Sequence, residues 1–288
     1  MTADSETLVV AAYVFAKELP SSRRWGRPPL IEDEELIALA VAQAASGICS
    51  DRQFLGVVGR LLPGWFPHLP HQTQYNRRLR GLTPRLVWVQ QRLAALLASG
   101  KLRIADGTLV GVANYAGCGA HSEFAGTAAY GYCAAKSRWY WGLRLVLLSD
   151  RRGLPVGYTL VPANEREYEP VRELVLGDRC RLLLADKGLW GREYAETLRL
   201  EGVAIRTPDR RRSAANRERE RRLAALRLVI ESLIANLKCQ MRLEEHLAKT
   251  LAGLLARIAA RLLALTLGML LNAQLGRPLR SLVAYDGR

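Results

Sequence analysis

Three carboxylates, Asp106, Asp186 and Glu231, have surroundings that suggest chemistry on a nucleic acid. Asp106 interrupts the apolar run 102–110, and Asp186 directly follows the apolar run 182–185. Burying a carboxylate beside aliphatic side chains is costly unless something neutralises its charge. Three acids brought together also repel one another and raise one another's pKa, so such a cluster implies bound divalent cations. The set therefore predicts metal-dependent phosphoryl transfer.

Glu231 lies in a segment that has the period of a helix, residues 218–238. Spacings of four and seven residues place Arg227, Glu231 and Lys238 near one helical face. A polar stripe is therefore predicted along a mostly apolar helix. The preceding segment, residues 206–227, carries nine basic residues against three acids. We interpret it as a basic loop that leads into the helix of the third acid, with a solvated charge run as the alternative.

The pattern after residue 100 predicts the elements that would position these acids. Three strands are predicted, over residues 102–112, 138–149 and 154–162. Asn164, with Glu167 three residues later, predicts an N-cap and capping box for a helix through Leu176. The remaining predicted elements are strand 181–185, helix 192–201, strand 203–206 and helix 218–238. This order predicts an α/β fold of the ribonuclease H-like kind, in which helices flank a mixed sheet.

Residues 1–95 are predicted to form a small all-α domain that precedes the sheet. Its helices are predicted over residues 6–18, 33–45 and 51–62, with Pro, Gly and Ser between them. Basic and aromatic side chains here would form a DNA-facing edge, or the aromatics would lie in the core. These residues are Trp65, Tyr75, Arg77, Arg78 and Arg80. We expect DNA-end binding or assembly from this domain, and a catalytic domain with a C-terminal helix from residues 96–288.

The composition supports a globular protein with a polyanionic partner. The chain has 288 residues and 49% hydrophobic content, which is enough to bury a sizeable core and argues against disorder. An excess of 42 Lys plus Arg over 27 Asp plus Glu gives a net charge of +15. Most of the basic residues are arginines, whose forked donors suit phosphate. Since the excess lies mainly after residue 95, the predicted catalytic region is also the most basic.

Cysteine usage and hydropathy bear on the compartment. Five cysteines without a Cys-x-x-Cys pair argue against a disulfide framework and a regular zinc site. Cys118, His121 and Cys133 could supply three zinc ligands, but a fourth is missing. The acidic N-terminus does not resemble a secretory signal, and the uncharged segment 262–276 is too short to span a bilayer. We predict a cytoplasmic protein, nucleoid-associated when DNA-bound, without a membrane partner.

Several motifs agree in type and order with one family. They are Asp106-Gly107-Thr108-Leu109-Val110, Ala185-Asp186-Lys187-Gly188 and Arg227-x3-Glu231-x6-Lys238. Further agreement comes from Tyr130-Gly131-Tyr132-Cys133, the segment 138–144 and Gly253-Leu254-Leu255-Ala256-Arg257. Beyond residue 100, most of the chain resembles the prokaryotic insertion-sequence transposases of the DDE class, whose catalytic domain is ribonuclease H-like.

The resemblance implies that Asp106, Asp186 and Glu231 are catalytic and hold two Mg²⁺ ions, with Mn²⁺ as the alternative. They would activate water and then a 3′-hydroxyl for in-line attack on DNA phosphodiesters. The basic residues implied to bind DNA are Arg227, Lys238, Lys187, Arg210, Arg211 and Arg212. The implied partners are double-stranded DNA, its terminal inverted repeats, target DNA and further copies of this chain assembled on DNA.

Two positions depart from the family pattern. Ala224 stands where the family signature has tyrosine, and Gly107 stands where related sequences often carry serine. Neither position is a metal ligand. The departures suggest an inactive DNA-binding descendant as one alternative to an active transposase. A metal-dependent nuclease of the same fold without strand transfer is the other alternative.

Overall fold

The computed structural model describes residues 3–19, 29–113, 119, 122–133, 137–189, 191–208 and 217–286. The helices considered below are α1 (Ala3–Lys17), α2 (Asp33–Ser46), α3 (Asp51–Leu61), α4 (Gln72–Gly81), α5 (Thr83–Leu97), α6 (Tyr168–Leu176), α7 (Arg192–Leu200), α8 (Arg217–Ala235) and α9 (Leu251–Gln274). The strands are β1 (Leu102–Ala113), β2 (Ala129–Cys133), β3 (Arg138–Asp150), β4 (Pro155–Pro162), β5 (Leu182–Leu184) and β6 (Ala204–Arg206). The chain forms two compact units: a helical unit, Met1–Leu93 with Asn236–Arg288, and a sheet unit, Ala94–Ala235.

The helical unit is built around α9, which packs against α1, α2 and α4. The Thr250 hydroxyl caps α9 by accepting a hydrogen bond from the Gly253 N–H at 3.1 Å. Every residue from Ile258 to Gly268 is buried. Within the described chain, α9 is the helix long and apolar enough to cross a membrane, but most of its apolar stretch is buried. It therefore has the burial of a core helix.

The placement of α9 differs from the predicted domain division. The change from the helical unit to the sheet unit lies after Leu93. The prediction assigned everything from residue 96 onward to one domain, whereas residues 236–288 belong to the helical unit. The physical reason is that the apolar surface of α9 is covered by α1, α2 and α4. Those contacts link residues far apart in sequence, and local patterns do not reveal them.

Two residues considered for a DNA-facing edge instead serve the packing of the helical unit. Tyr75 is fully buried, and its hydroxyl donates to Gln43 Oε1 at 2.8 Å. The Arg78 guanidinium lies 2.9 Å from Asp33. Trp65 is exposed. The core interpretation therefore holds for Tyr75 and not for Trp65.

The sheet unit is a mixed sheet with the strand order β2-β3-β1-β5-β6, in which β4 also pairs with β3. The pairs among β1, β2, β3 and β4 are antiparallel, whereas β1 with β5 and β5 with β6 are parallel. Helix α6 packs on β3 and β4, α7 on β6, and α8 on β1. Between α6 and the sheet lies an apolar core that includes Val146, Leu148, Val171, Val175 and Leu183. This architecture confirms the predicted ribonuclease H-like α/β fold.

Two details of the sheet unit differ from the prediction. Residues Ala129–Cys133 form β2, an antiparallel neighbour of β3 that the pattern did not identify as a strand. Helix α6 begins at Tyr168, so its N-cap is Glu167 and not Asn164. The Glu167 side chain makes no capping hydrogen bond, because its carboxylate is paired with Arg144. The expected capping box is therefore wrong.

Candidate active site

The strand register places Asp106 and Asp186 at equivalent positions on neighbouring chain segments. Ile104 on β1 pairs with Leu184 on the parallel strand β5. Each aspartate follows two residues later, Asp106 still within β1 and Asp186 just beyond β5. Because parallel strands advance together, both acids lie at the same level along these two neighbouring segments. The sequence predicted the acids, but the register supplies their proximity.

Asp106 is a partly buried carboxylate with little local compensation. Its Oδ1 accepts a hydrogen bond from the Gly107 N–H at 2.8 Å, and no described residue forms an ion pair with it. Burial raises the pKa of Asp106 to about 6, against the lowering effect of that hydrogen bond. The charges of Glu167 and Asp186 also raise this pKa, whereas Arg227 lowers it. Asp106 thus lies within electrostatic reach of two acids and one arginine.

Arg227 joins the second and third acids. Helix α8, which packs on β1, carries both Arg227 and Glu231 one turn apart. The guanidinium Nη1 lies 3.2 Å from Asp186 Oδ1, and Nη2 lies 3.6 Å from Glu231 Oε1. About half of each acid side chain is exposed, 52% for Asp186 and 49% for Glu231. Exposed pairs of this kind are weak, so Arg227 can exchange for another cation.

The donor chemistry of the three acids fits a hard divalent cation, since all the donors are carboxylate oxygens. Among the described residues, no three His, Cys, Asp or Glu side chains are grouped closely enough to hold one ion. The positive charge shared by Asp186 and Glu231 is that of Arg227. Divalent ions and Arg227 would therefore compete for these two acids.

The remaining predicted DNA-binding residues do not form a cluster with Arg227 among the described residues. Lys187 directly follows Asp186 and opens a short 3₁₀ turn, Lys187–Leu189. Lys238 lies in a π-helical turn, Asn236–Gln240, which breaks the α-helical period on which the predicted stripe depended. Its Nζ lies 3.1 Å from Glu244 Oε1, within the helical unit. Three of the predicted residues, Arg210, Arg211 and Arg212, lie outside the described part of the chain.

Two further aspartates of the sheet unit, Asp150 and Asp178, have structural partners. Asp150 is fully buried and accepts hydrogen bonds from the Ser99 N–H at 3.1 Å and the Leu154 N–H at 3.0 Å. Asp178 is paired with the buried Arg103. These contacts give both acids structural roles. Of the three residues considered for zinc, Cys118 and His121 lie outside the described residues.

Glu167 and Arg144 are the residues at this site that sequence reasoning missed. The Arg144 guanidinium is paired with the Glu167 carboxylate and also donates to the Ala163 carbonyl at 3.2 Å. The signal that could have found them is Arg144 itself, the charged residue inside the apolar strand 143–148. A charge on such a strand needs a partner. Glu167 was instead assigned to a helix cap.

Comparison with known proteins identifies the family. A family model described as the transposase DDE domain matches residues 98–267, which is more than half of the chain. That range includes all three acids together with Arg227 and Lys238. No curated protein and no solved structure matches the chain. The chain belongs to the transposase DDE domain family, whose activity is DNA transposition.

Proposed function

We propose that this chain is the transposase of an insertion sequence, which cuts DNA at the ends of its element and joins those ends to a target. The supporting observation is the arrangement of acids on β1, just beyond β5 and on α8. Asp106 is partly buried, with a single hydrogen bond on the described chain, and Arg227 joins Asp186 to Glu231. Asp106 has no ion-pair partner on the described chain, and the other two acids share only the guanidinium of Arg227. This arrangement suits a site that binds cations from solution.

Asp106, Asp186 and Glu231 would hold two Mg²⁺ ions, or Mn²⁺ in their place. When bound, these ions supply Lewis acidity that stabilises charge on both the attacking and the leaving oxygen. The side chains would hold the ions and would form no covalent intermediate with DNA. First water and then a 3′-hydroxyl would be the attacking group.

DNA binding would draw on the basic surface of the chain. The net charge of +15 favours a polyanion. The DNA ligands we propose are Arg227, Lys238, Lys187, Arg210, Arg211 and Arg212. Backbone contacts of this kind are salt-sensitive and largely indifferent to base sequence. Recognition of terminal inverted repeats would add specificity, and copies of the chain would assemble on the two DNA ends in the cytoplasm.

The test is cleavage of a plasmid that carries this gene with its native flanking DNA. Purified protein is assayed in Mg²⁺, in EDTA, and as the variants Asp186→Asn and Glu196→Gln. Glu196 is an exposed residue of α7 and serves as the matched acid-to-amide control. Cuts at the element ends that require both metal and Asp186 support the proposal, and joined products establish strand transfer. Cleavage without joining would instead indicate a nuclease.

Gly107 and Ala224 favour a second candidate, an inactive DNA-binding descendant. In that case the ends would be bound but not cut in any metal, and Asp186→Asn would behave like the unchanged protein. Binding is measured on the same DNA fragments. Metal-dependent cleavage that is lost in Asp186→Asn excludes this candidate.

A further inference from the structure

Gly107 makes room for a carboxylate against the strand that carries Asp106. A Cβ added at Gly107 would lie 2.5 Å from Oε1 and 2.9 Å from Cδ of Glu167. Real Cβ atoms do not approach other atoms that closely, so any side chain here would displace the Glu167 carboxylate. The absence of a side chain at Gly107 therefore allows Glu167 to reach the backbone of β1. A serine here, as related sequences often have, would therefore not leave room for the Glu167 carboxylate in its present position.

Arg144 fixes the Glu167 carboxylate in that position. Its guanidinium pairs with Glu167 and donates to the Ala163 carbonyl at 3.2 Å, just before α6. The Arg144 Nε is buried and has no hydrogen-bond partner. Such a group costs stability, so the Arg144–Glu167 ion pair is not optimised for stabilising the fold. Glu167 occupies the N-cap of α6 without using its side chain as a cap. The carboxylate is thus directed to β1 and Arg144, not to its own helix.

Glu167 acts on Asp106 by charge and not by direct contact. Side chains alternate along a strand, so Glu167 approaches Gly107 from the face opposite to the Asp106 side chain. The Glu167 carboxylate reaches β1 at Gly107, the residue directly after Asp106, so its charge acts on Asp106 over a short distance. A negative charge so placed increases the attraction of the site for cations.

We propose that Glu167 is a positioning residue of the acidic site: admitted by Gly107 and held by Arg144, its charge strengthens divalent-cation binding at Asp106. This inference rests on the proposed function. Without Glu167, the site would keep its three acids, but the nearby positive charge of Arg144 would lose its counterion. Glu167 thereby becomes a fourth acid that tunes the site without serving as a ligand.

The experiment is a Mn²⁺ titration of the DNA-free protein, followed by electron paramagnetic resonance of the free ion. Glu167→Gln should weaken Mn²⁺ binding about tenfold, the low end of what loss of a supporting group costs a metal site. Glu165→Gln, an exposed acid two residues earlier, is the matched control and should bind as the unchanged protein does. Thermal unfolding of each variant is recorded alongside. A lower midpoint with unchanged Mn²⁺ affinity would mean a purely structural pair and would overturn the inference.

Gly107→Ser gives a second, independent route to the same answer. The serine Cβ should push the Glu167 carboxylate away and weaken Mn²⁺ binding to a similar extent. Adding Glu167→Gln to Gly107→Ser should then cost nothing further, because the charge has already left its position. Additive losses would overturn the inference. Asp106→Asn separates the two proposals. If Asp106→Asn leaves Mn²⁺ binding intact, the proposed function fails as well. If Asp106→Asn abolishes Mn²⁺ binding but Glu167→Gln does not weaken it, only the role of Glu167 is overturned.

Discussion

Two carboxylates, Asp51 in the helical unit and Asp106 in the sheet unit, differ in how their charge is compensated. Asp51 is buried and accepts hydrogen bonds from Arg257 at 2.7 Å, from Gln43 at 2.9 Å and from Asn76. Asp106 is partly buried and, on the described chain, accepts one from the Gly107 N–H. A compensated acid stabilises its fold. An uncompensated one destabilises it until a cation arrives, which is the property expected of a metal ligand.

The two arginines that pair with acids show the same contrast. Arg257 is 13% exposed beside an Asp51 side chain that is 4% exposed, so neither can readily find another partner. Arg227 is 32% exposed, and its partners Asp186 and Glu231 are about half exposed. Burial therefore separates a fixed pair in the helical unit from an exchangeable pair in the sheet unit.

The largest expected effect comes from Asp106→Asn. The amide keeps the shape but removes the negative charge that would hold a cation, so cleavage should fall about 10³-fold, or about 4 kcal/mol of activation free energy. DNA binding should change little because the basic surface remains. Single-turnover cleavage and gel-shift binding measure the two effects. Retained cleavage would remove Asp106 from the catalytic set.

The same substitution at the other acid, Asp51→Asn, should cost stability and not chemistry. Loss of its charge leaves Arg257 buried without a counterion, and the free energy of unfolding should fall by about 3 kcal/mol. Urea denaturation measures this loss. Cleavage per folded molecule, assayed well below the unfolding temperature, should be unchanged. A loss of cleavage in the fully folded variant would break the contrast between the two acids.

Asp106→Asn should also stabilise the metal-free protein in a pH-dependent way. The folded-state pKa of Asp106 is raised to about 6, from about 3.9 in an unfolded chain. The unchanged protein therefore carries no penalty from this group below about pH 4 and loses stability as pH rises toward 6. The advantage of the variant should grow over that range and level off at about 3 kcal/mol, since each pKa unit corresponds to about 1.4 kcal/mol. Urea denaturation of both proteins in EDTA at pH 4 and pH 8 measures this advantage. An equal stability difference at the two pH values would refute the raised pKa of Asp106 as its cause.

The smallest expected effect comes from Arg227→Ala in the absence of DNA. Removing the guanidinium frees Asp186 and Glu231, so Mn²⁺ affinity should rise by up to about fivefold, the size of a weak exposed pair. Arg222→Ala is the control, since Arg222 pairs with Glu218 elsewhere on α8. A fall in Mn²⁺ affinity would mean that Arg227 organises the acids and does not compete for them.

Local patterns predicted much of the sheet unit. The long strands β1, β3 and β4 and the helix α8 have strong periodicity and begin and end close to their expected bounds. Strand β2 was missed because Ala129–Cys133 is only five residues long and has glycine, a poor strand former, at its centre. The start of α6 was misplaced because the spacing of Asn164 and Glu167 imitates a capping box. In the structure, a distant arginine takes the Glu167 carboxylate.

The sequence by itself determined the acids, their order, the basic charge and the family, because these are properties of residue types and spacings. Tertiary structure alone decided that Asp106 and Asp186 lie on neighbouring segments, that Arg227 joins two acids, and that Glu167 reaches β1 at Gly107. Strand register, burial and ion pairing all join residues that are distant along the chain. Their energies therefore depend on the folded arrangement and cannot be obtained from the local sequence.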